Sequence, residues 1–301
     1  MKTDSCEDIR YKSGFAGLLG WTNVGKSTLV NLLTGMRIAI TSDNPQTTRH
    51  RLVGIVQSDN YQIALTDTPG IHAPKSELSK RMLKTSWNTM TSMDVIIWLV
   101  FPDKPAALQL KSFQQKLEEY KTPVIIGINK IDTVRTESII PLADTLYKEI
   151  DPIAVVPFSA KTGENVDKLL DVIVEQLPCN EPLYSIDLVT DQPERIIAAE
   201  YIREQIIEHT YQEMPHVVAV EIEIFKRVKE DFIEIVAAVF VEKKSQKRII
   251  IGANGKLIKQ IGIAARKQLS AFFQSNVDLR LWIRVKEGWR NDPVGLRRFG
   301  F

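Results

Sequence analysis

The chain has 301 residues, 44% of them hydrophobic and 25% charged, the make-up of a soluble globular protein with room for two domains. No apolar run approaches the ~18 residues that cross a bilayer, and no signal-peptide pattern opens the sequence. The net charge of +2 hides an asymmetry: from Lys226 onward 17 Lys and Arg face 7 Asp and Glu, leaving +10 there and −8 before it, so the end of the chain suits a polyanion.

Cys6 and Cys179 lie far apart and suggest neither a disulfide framework nor a Cys-rich metal site, which fits a reducing cytoplasm. The apolar run Phe15–Leu19 reads as a strand. Behind it stands Gly20-Trp21-Thr22-Asn23-Val24-Gly25-Lys26-Ser27-Thr28, which fits G-x-x-x-x-G-K-[ST] and leads into a helix that Gly35 ends. Strand, loop and helix are the setting a phosphate-binding loop requires. Backbone N–H groups at the helix N-terminus would wrap the phosphates. Lys26 would reach the β- and γ-phosphate oxygens, and the Ser27 hydroxyl would coordinate Mg²⁺.

A polar stretch from Ser42 to Arg49 follows, then strands around Leu52–Val56 and Tyr61–Thr66. The second strand closes on Asp67-Thr68-Pro69-Gly70. At a strand end beside a phosphate loop, Asp67 can hold the Mg²⁺ shell and the Gly70 N–H can bond the γ-phosphate. Taken alone, the same four residues make a good turn. Pro74–Ser92 reads as mostly helical. Strands and helices then alternate: Val95–Phe101, a helix near Ala106–Tyr120, Val124–Ile128, a helix near Ser138–Ile150, Ile153–Phe158 and a helix near Val166–Gln176. That alternation predicts a mostly parallel sheet covered on both faces.

Asn129-Lys130-Ile131-Asp132 follows the Val124–Ile128 strand. Guanine offers two N–H donors side by side, and the Asp132 carboxylate is a natural double acceptor for them. Adenine has no such pair, so the motif selects GTP over ATP. The Lys130 stem can lie along the base, and Asn129 can tie neighbouring loops together. Ser159-Ala160-Lys161 follows the next strand, and its Ala160 N–H would bond the guanine O6. All four motifs sit at strand ends, where open α/β sheets bind ligands.

Leu177–Pro182 breaks the pattern. The break puts a nucleotide-binding domain over 1–180, a linker over about 177–190 and a second domain over 191–301. The second part reads as a helix near Gln192–Glu213 with Ile196, Ala199, Ile202, Ile206 and Ile207 on one face. Two alternating strands follow, marked by Val218, Val220, Ile222 and Ile224 and by Ile233, Ile235, Ala237, Val239 and Val241. Helical segments then flank Ile251-Gly252-Ala253-Asn254-Gly255-Lys256, and a strand closes the order α-β-β-α-α-β. A KH domain uses such a G-x-x-G loop to clamp a single-stranded nucleic-acid backbone. Lys247, Arg248, Lys256 and Lys259 would supply charge. On the last strand Arg280, Trp282, Arg284 and Lys286 alternate opposite to the apolar face. They suit bases and phosphates, or else form a solvated face with Trp282 packed beneath a loop or helix. The tail Trp289–Phe301 either meets RNA or covers its own domain.

The nucleotide half resembles the translation-factor-related GTPases, and the whole chain resembles the Era-like bacterial GTPases. That resemblance implies an α/β phosphate-loop GTPase domain followed by an α+β type II KH domain. It implies GTP and GDP as nucleotides, with Mg²⁺ and K⁺ as ions. It implies catalytic duty for Lys26, Thr48, Asp67 and Gly70. Gln46-Thr47-Thr48-Arg49-His50 matches the first switch, where Thr47 or Thr48 reaches Mg²⁺, and Asn23 matches the asparagine that related enzymes use for a monovalent cation. The implied partners are 16S ribosomal RNA near its 3′ end and the 30S subunit during assembly. The implied protein is monomeric and cytoplasmic, with peripheral association at the inner membrane. Ile71 stands where Ras-like enzymes carry a water-orienting Gln, so turnover on the order of 10⁻⁴–10⁻² s⁻¹ is expected without an activator. His50 and His72 read as solvated loop residues near the switches. The chain departs from the family at Trp21-Thr22, where Arg-Pro is usual, and in its short end at Phe301. The alternatives are an RNA-binding scaffold with a regulatory nucleotide pocket and a GTPase of the membrane surface.

Overall fold

The computed structural model describes residues 11–41, 48–71, 74, 76–111, 113, 116, 119–210, 214 and 217–301. Thr47, Cys6 and His72, named above, lie outside the described residues. The chain forms two compact units. One takes the described residues within Met1–Ile38, Arg51–His72 and Leu83–Asp191; the other takes those within Ala39–His50, Ala73–Met82 and Gln192–Phe301.

An all-apolar run belongs to a strand buried on both faces. Val95–Val100, strand β4, is such a strand, and all six residues are buried. To one side lie β1 (Lys12–Gly20), β3 (Tyr61–Asp67) and the edge strand β2 (Leu52–Gln57); to the other lie β5 (Val124–Ile128) and β6 (Ala154–Pro157). Within this sheet β2 and β3 pair antiparallel, and the other neighbouring strands pair parallel. The helices between strands are α1 (Lys26–Thr34), α2 (Glu77–Met90), α3 (Ala106–Leu110), α4 (Thr136–Ile150) and α5 (Val166–Gln176). Parallel pairing brings the C-terminal ends of β1, β3, β5 and β6 out at one edge of the sheet, and all four nucleotide motifs follow those ends. Of the helix expected over Ala106–Tyr120, the described residues show helix at Ala106–Leu110 and again at Lys116.

The segment after α5 does not run free. Ile55 donates its N–H to the Val189 carbonyl at 2.8 Å, Thr190 Oγ1 donates to the Val53 carbonyl at 2.6 Å, and Gln62 exchanges hydrogen bonds with the Tyr184 backbone. The segment thus covers the open edge of β2, where unpaired backbone groups would invite foreign strands. Cys179 is disulfide-bonded, where the sequence suggested no such bond. Its backbone bridges Lys12 at the start of β1, a proximity that sequence separation hides.

In the second unit, β7 (Ala219–Lys229) pairs antiparallel with β8 (Phe232–Val241), which pairs parallel with β9 (Asn276–Val285). Helices α6 (Glu194–His209) and α8 (Lys256–Phe273) pack on one face, burying Ile197, Tyr201, Ile202 and Ile206 against Ile233, Ile235, Ala265 and Leu269. Two expectations change. Helix α6 is buried at every position from Tyr201 to Ile207, so its core face centres on Ile197 and Ala198 while Ile196 and Ala199 are half-buried. A bulge between Ile222 and Ile224 breaks the β7 alternation, so Phe225 joins the core and Ile224 is exposed.

The tail covers its own domain. After β9, Trp289 is fully buried with Leu296 and Phe299 against Ala238 and Phe240, and the short helix α9 (Pro293–Arg298) carries Leu296. Arg298 grips Glu221 through two hydrogen bonds of 2.8 and 3.0 Å.

Candidate nucleotide site and nucleic-acid interface

The phosphate loop leaves β1 at Gly20 and enters α1 at Lys26. Asn23 adopts a positive φ of 62°, and Val24 is fully buried. Lys26 is 5% exposed, and its Nζ donates to the carbonyls of Gly20 at 3.2 Å and Trp21 at 3.0 Å. Burial pushes its pKa down to about 8 against the pull of Asp67. Ser27 Oγ donates to Asp67 Oδ2 at 2.6 Å, which brings together the first and second motifs. Trp21, Thr22 and Thr28 are half-buried.

The Asp67–Gly70 turn is stitched to this loop. Thr68 Oγ1 donates to the Leu18 carbonyl at 2.8 Å, and the Ile71 N–H donates to the Gly20 carbonyl at 3.0 Å. A Cβ on Gly70 would lie 2.7 Å from Thr22 Cα, so no side chain fits there. Ser86 Oγ, on α2, donates to the Pro69 carbonyl at 2.8 Å. Sequence reasoning missed Ser86, because nothing sets it apart from its neighbours Thr85 and Thr89.

Asn129 joins three motifs. Its Nδ2 donates to the Val24 carbonyl at 2.7 Å, while its Oδ1 accepts the Lys130 N–H at 2.8 Å and the Ala160 N–H at 2.9 Å. The Ala160 N–H, expected on guanine, is therefore given to Asn129 in this structure. Gly25 admits the contact: a Cβ there would sit 2.1 Å from Asn129 Nδ2. Ser159 Oγ donates to Asp132 Oδ1 at 2.6 Å and fixes an otherwise exposed carboxylate. Ile131 is buried and Lys161 is exposed. Lys130 Nζ stands 5.5 Å from the Phe101 ring, a support the sequence showed only as the end of an apolar run.

Among the described residues, no cluster of three or more His, Cys, Asp or Glu could hold a metal alone. Ser27 and Asp67 offer hard oxygens side by side. That donor set suits Mg²⁺, which keeps few protein ligands and shares substrate phosphates.

Thr48 is half-buried in the second unit. Beside it Arg49 is 3% exposed, donates Nη1 to the Val218 carbonyl at 2.6 Å and lies 5.9 Å over the Trp289 ring. Burial, with Arg203 and Arg290 nearby and Glu200 opposing, pushes its pKa down to about 9. His50 is not a solvated loop residue. It stacks on Phe301 at 4.3 Å, and burial holds its pKa below the ordinary value.

The G-x-x-G loop joins α7 (Lys244–Ile251) to α8 through a turn at Ala253–Gly255. Gln246 Oε1 accepts the N–H groups of Glu242 and Lys243, which caps α7. Gly252 has φ 71°, and a Cβ on it would lie 2.6 Å from that of Leu257; Gly255 has φ 74° with open space around it. Arg248, Ala253, Asn254, Lys256 and Lys259 are exposed, while Ile251 and Lys247 are half-buried. No acidic residue stands in the first turn of α8, so nothing there opposes an anion at its positive end. On β9, Trp282 is 58% exposed and is not packed beneath a loop. Arg280 pairs with Asp278 at 2.8 Å and Arg284 with Glu223 at 2.7 Å, so neither cation stands free. In a strand, residues two apart share a face, which puts Asp278 beside Arg280.

A phosphate loop hydrogen-bonded to a guanine-type carboxylate motif, followed in the chain by a G-x-x-G unit, defines the class: a phosphate-loop GTPase carrying a KH domain. Family models agree, with "50S ribosome-binding GTPase" matching residues 15–130 and "KH domain" matching residues 213–290. GTPase Era of Caldanaerobacter subterraneus subsp. tengcongensis is 42% identical over 294 residues, 97% of this chain and 99% of the relative. GTPase Era of Carboxydothermus hydrogenoformans is likewise 42% identical over 97% of this chain and 99% of its own. A crystal structure of Era in complex with MgGDPNP and nucleotides 1506–1542 of 16S ribosomal RNA superposes with a TM-score of 0.92 at 35% identity, covering 96% of this chain and 99% of that one. A crystal structure of a point variant of Aquifex aeolicus Era bound to GDP·AlF4⁻ gives 0.91 at 35%, covering 96% and 99%. The chain belongs to the Era family of GTPases.

Proposed function

We propose that the chain is a GTP-hydrolysing switch that binds small-subunit ribosomal RNA near its 3′ end and acts in 30S assembly. One observation carries the nucleotide half of this reading: a single amide, Asn129, holds the phosphate loop, the Asp132 motif and the Ala160 loop together. The RNA complex of a relative that shares 35% identity supports the other half.

In this reading Asp132, oriented by Ser159, accepts the two N–H donors of guanine, and the Lys130 stem, backed by Phe101, lies along the base. The backbone N–H groups of residues 22–28 wrap the phosphates. Lys26 balances the β- and γ-phosphate charge, and the Gly70 N–H marks the γ-phosphate. Ser27, Asp67 and Thr48 would hold Mg²⁺, which supplies charge neutralisation between the β- and γ-oxygens when bound. Ile71 is 6% exposed among apolar side chains and has no group to polarise water. Attack therefore depends on a water held by main chain, by a monovalent cation near Asn23, or by a partner, and unassisted turnover is slow. In the second unit the positive end of α8, with Lys256, Lys259, Arg248 and Lys247, meets the RNA backbone. The protein works as a cytoplasmic monomer, and its basic end also suits the anionic inner-membrane surface; among the described residues no helix is long and apolar enough to cross a membrane.

Asp132→Asn replaces a double acceptor with a donor and an acceptor. Losing charge-assisted hydrogen bonds to guanine should lower GTP affinity about 100-fold and erase preference over ATP. Titration calorimetry of the full chain checks this, and a retained guanine preference sinks the assignment. Gly252→Asp should lower RNA affinity about tenfold or more, through its clash with Leu257 and a negative charge at the backbone contact. Lys256→Ala disturbs no packing and should instead flatten the salt slope by about 0.7, the share of one neutralised phosphate. Binding assays on a single-stranded oligonucleotide across salt concentrations read both, and unchanged affinity and slope would remove the clamp.

A further inference from the structure

Trp21 is the residue of the phosphate loop that nucleotide chemistry does not explain. Its side chain packs into an aromatic cluster. The Trp21 and Phe113 rings lie 6.1 Å apart at 53°, and Phe113 meets Trp98 at 5.0 Å and Trp87 at 5.9 Å. Ile71, from the turn that senses the γ-phosphate, is buried in the same cluster with Met90, Met93 and Leu110. The main chain repeats the link, since Trp21 and Ile71 form a parallel bridge. Next to that bridge Gly70 lies flat against Thr22. Trp21 also gives its carbonyl to Lys26 Nζ. One residue thus meets the phosphate-binding cation and the phosphate-sensing turn by its backbone, and its ring packs on the same core cluster as Ile71.

We infer that Trp21 is a positioning residue that fixes the Gly70–Ile71 turn on the phosphate loop, so that the chain tells a triphosphate from a diphosphate. The inference rests on the reading of Gly70 as the γ-phosphate donor. Rings and aliphatic chains packed this way have few alternative arrangements. The turn is therefore held ready before a γ-phosphate arrives, and less of the binding free energy is lost to ordering it. The indole N–H is buried with no hydrogen-bond partner among the described residues, so the ring acts by packing. Phenylalanine can then replace it, whereas alanine cannot.

The test compares full-length Trp21→Ala, Trp21→Phe and unaltered chain for binding of GDP and of a non-hydrolysable GTP analogue, with single-turnover GTP hydrolysis alongside. Trp21→Ala should keep GDP affinity within about threefold, yet lose about tenfold in analogue affinity and in turnover. Trp21→Phe should stay within about twofold of the unaltered chain in all three. Equal losses for both nucleotides, or none, would show that the ring only fills space and would overturn the inference. Equal affinity of the unaltered chain for both nucleotides would overturn the reading of Gly70 itself. Should Trp21→Ala fail to fold, Ile71→Ala empties the same cluster from the opposite loop and must show the same selective loss.

Discussion

Lys26→Ala abolishes GTP binding and leaves the fold intact: this is the largest functional effect expected of a single change. The ammonium is the one full positive charge built into the phosphate loop, and it is buried against two carbonyls. Burial lowers its pKa to about 8, whereas an unfolded lysine titrates near 10.4. The unfolded chain therefore binds more protons between those values, and stability rises with pH across that window. Below about pH 8 the cost of burying the charge is fully present, on the order of 3 kcal/mol; above about 10.5 both states are neutral and it is gone. Melting curves of the nucleotide-free chain from pH 7 to 10 should show this rise, and Lys26→Ala should remove it. GTP affinity should fall over the same alkaline window as the lysine loses its proton. Unaltered affinity in Lys26→Ala would remove the phosphate-loop assignment.

Trp289→Ala is the largest expected loss of stability, about 3–5 kcal/mol. The ring is fully buried, stacks edge-on to Phe299 at 5.2 Å, and donates its N–H to the Val217 carbonyl at 3.0 Å. Truncation opens a cavity and orphans that carbonyl together. With domain stabilities near 5–15 kcal/mol, about a fifth or more would be lost. Denaturant unfolding of the full chain should show its first transition at lower concentration, and Trp289→Phe should recover part of it. An unmoved midpoint would mean the tail contributes little to its domain.

The sequence disclosed the sheet and its nucleotide edge because each motif follows a run with one dominant signal. Val95–Val100 is apolar throughout, and G-x-x-x-x-G-K-S admits few other settings. What it hid depends on partners distant in sequence. The ion pair of Arg284 with Glu223 needs the register of three strands, since β8 lies between their two. Phe225 enters the core in place of Ile224 because of a bulge, which period-two reading cannot see. The burial of Arg49 requires a groove built by Val218, Glu200 and Trp289, more than a hundred residues away. Composition alone leaves two settings for the tail, since aromatics among arginines suit either RNA or a core; the placement of Trp289 resolves it.

Asn129 carries a consequence for how such a pocket can change. The amide that orders the base-reading loop also props the loop around the phosphates, through a gap only a glycine at position 25 leaves open. Purine choice and triphosphate grip are therefore not separate traits in this chain. A lineage drifting toward another purine at Asp132 could keep its hold on phosphate only while that amide stayed in place, which gives the pocket one route to new specificity and closes most others.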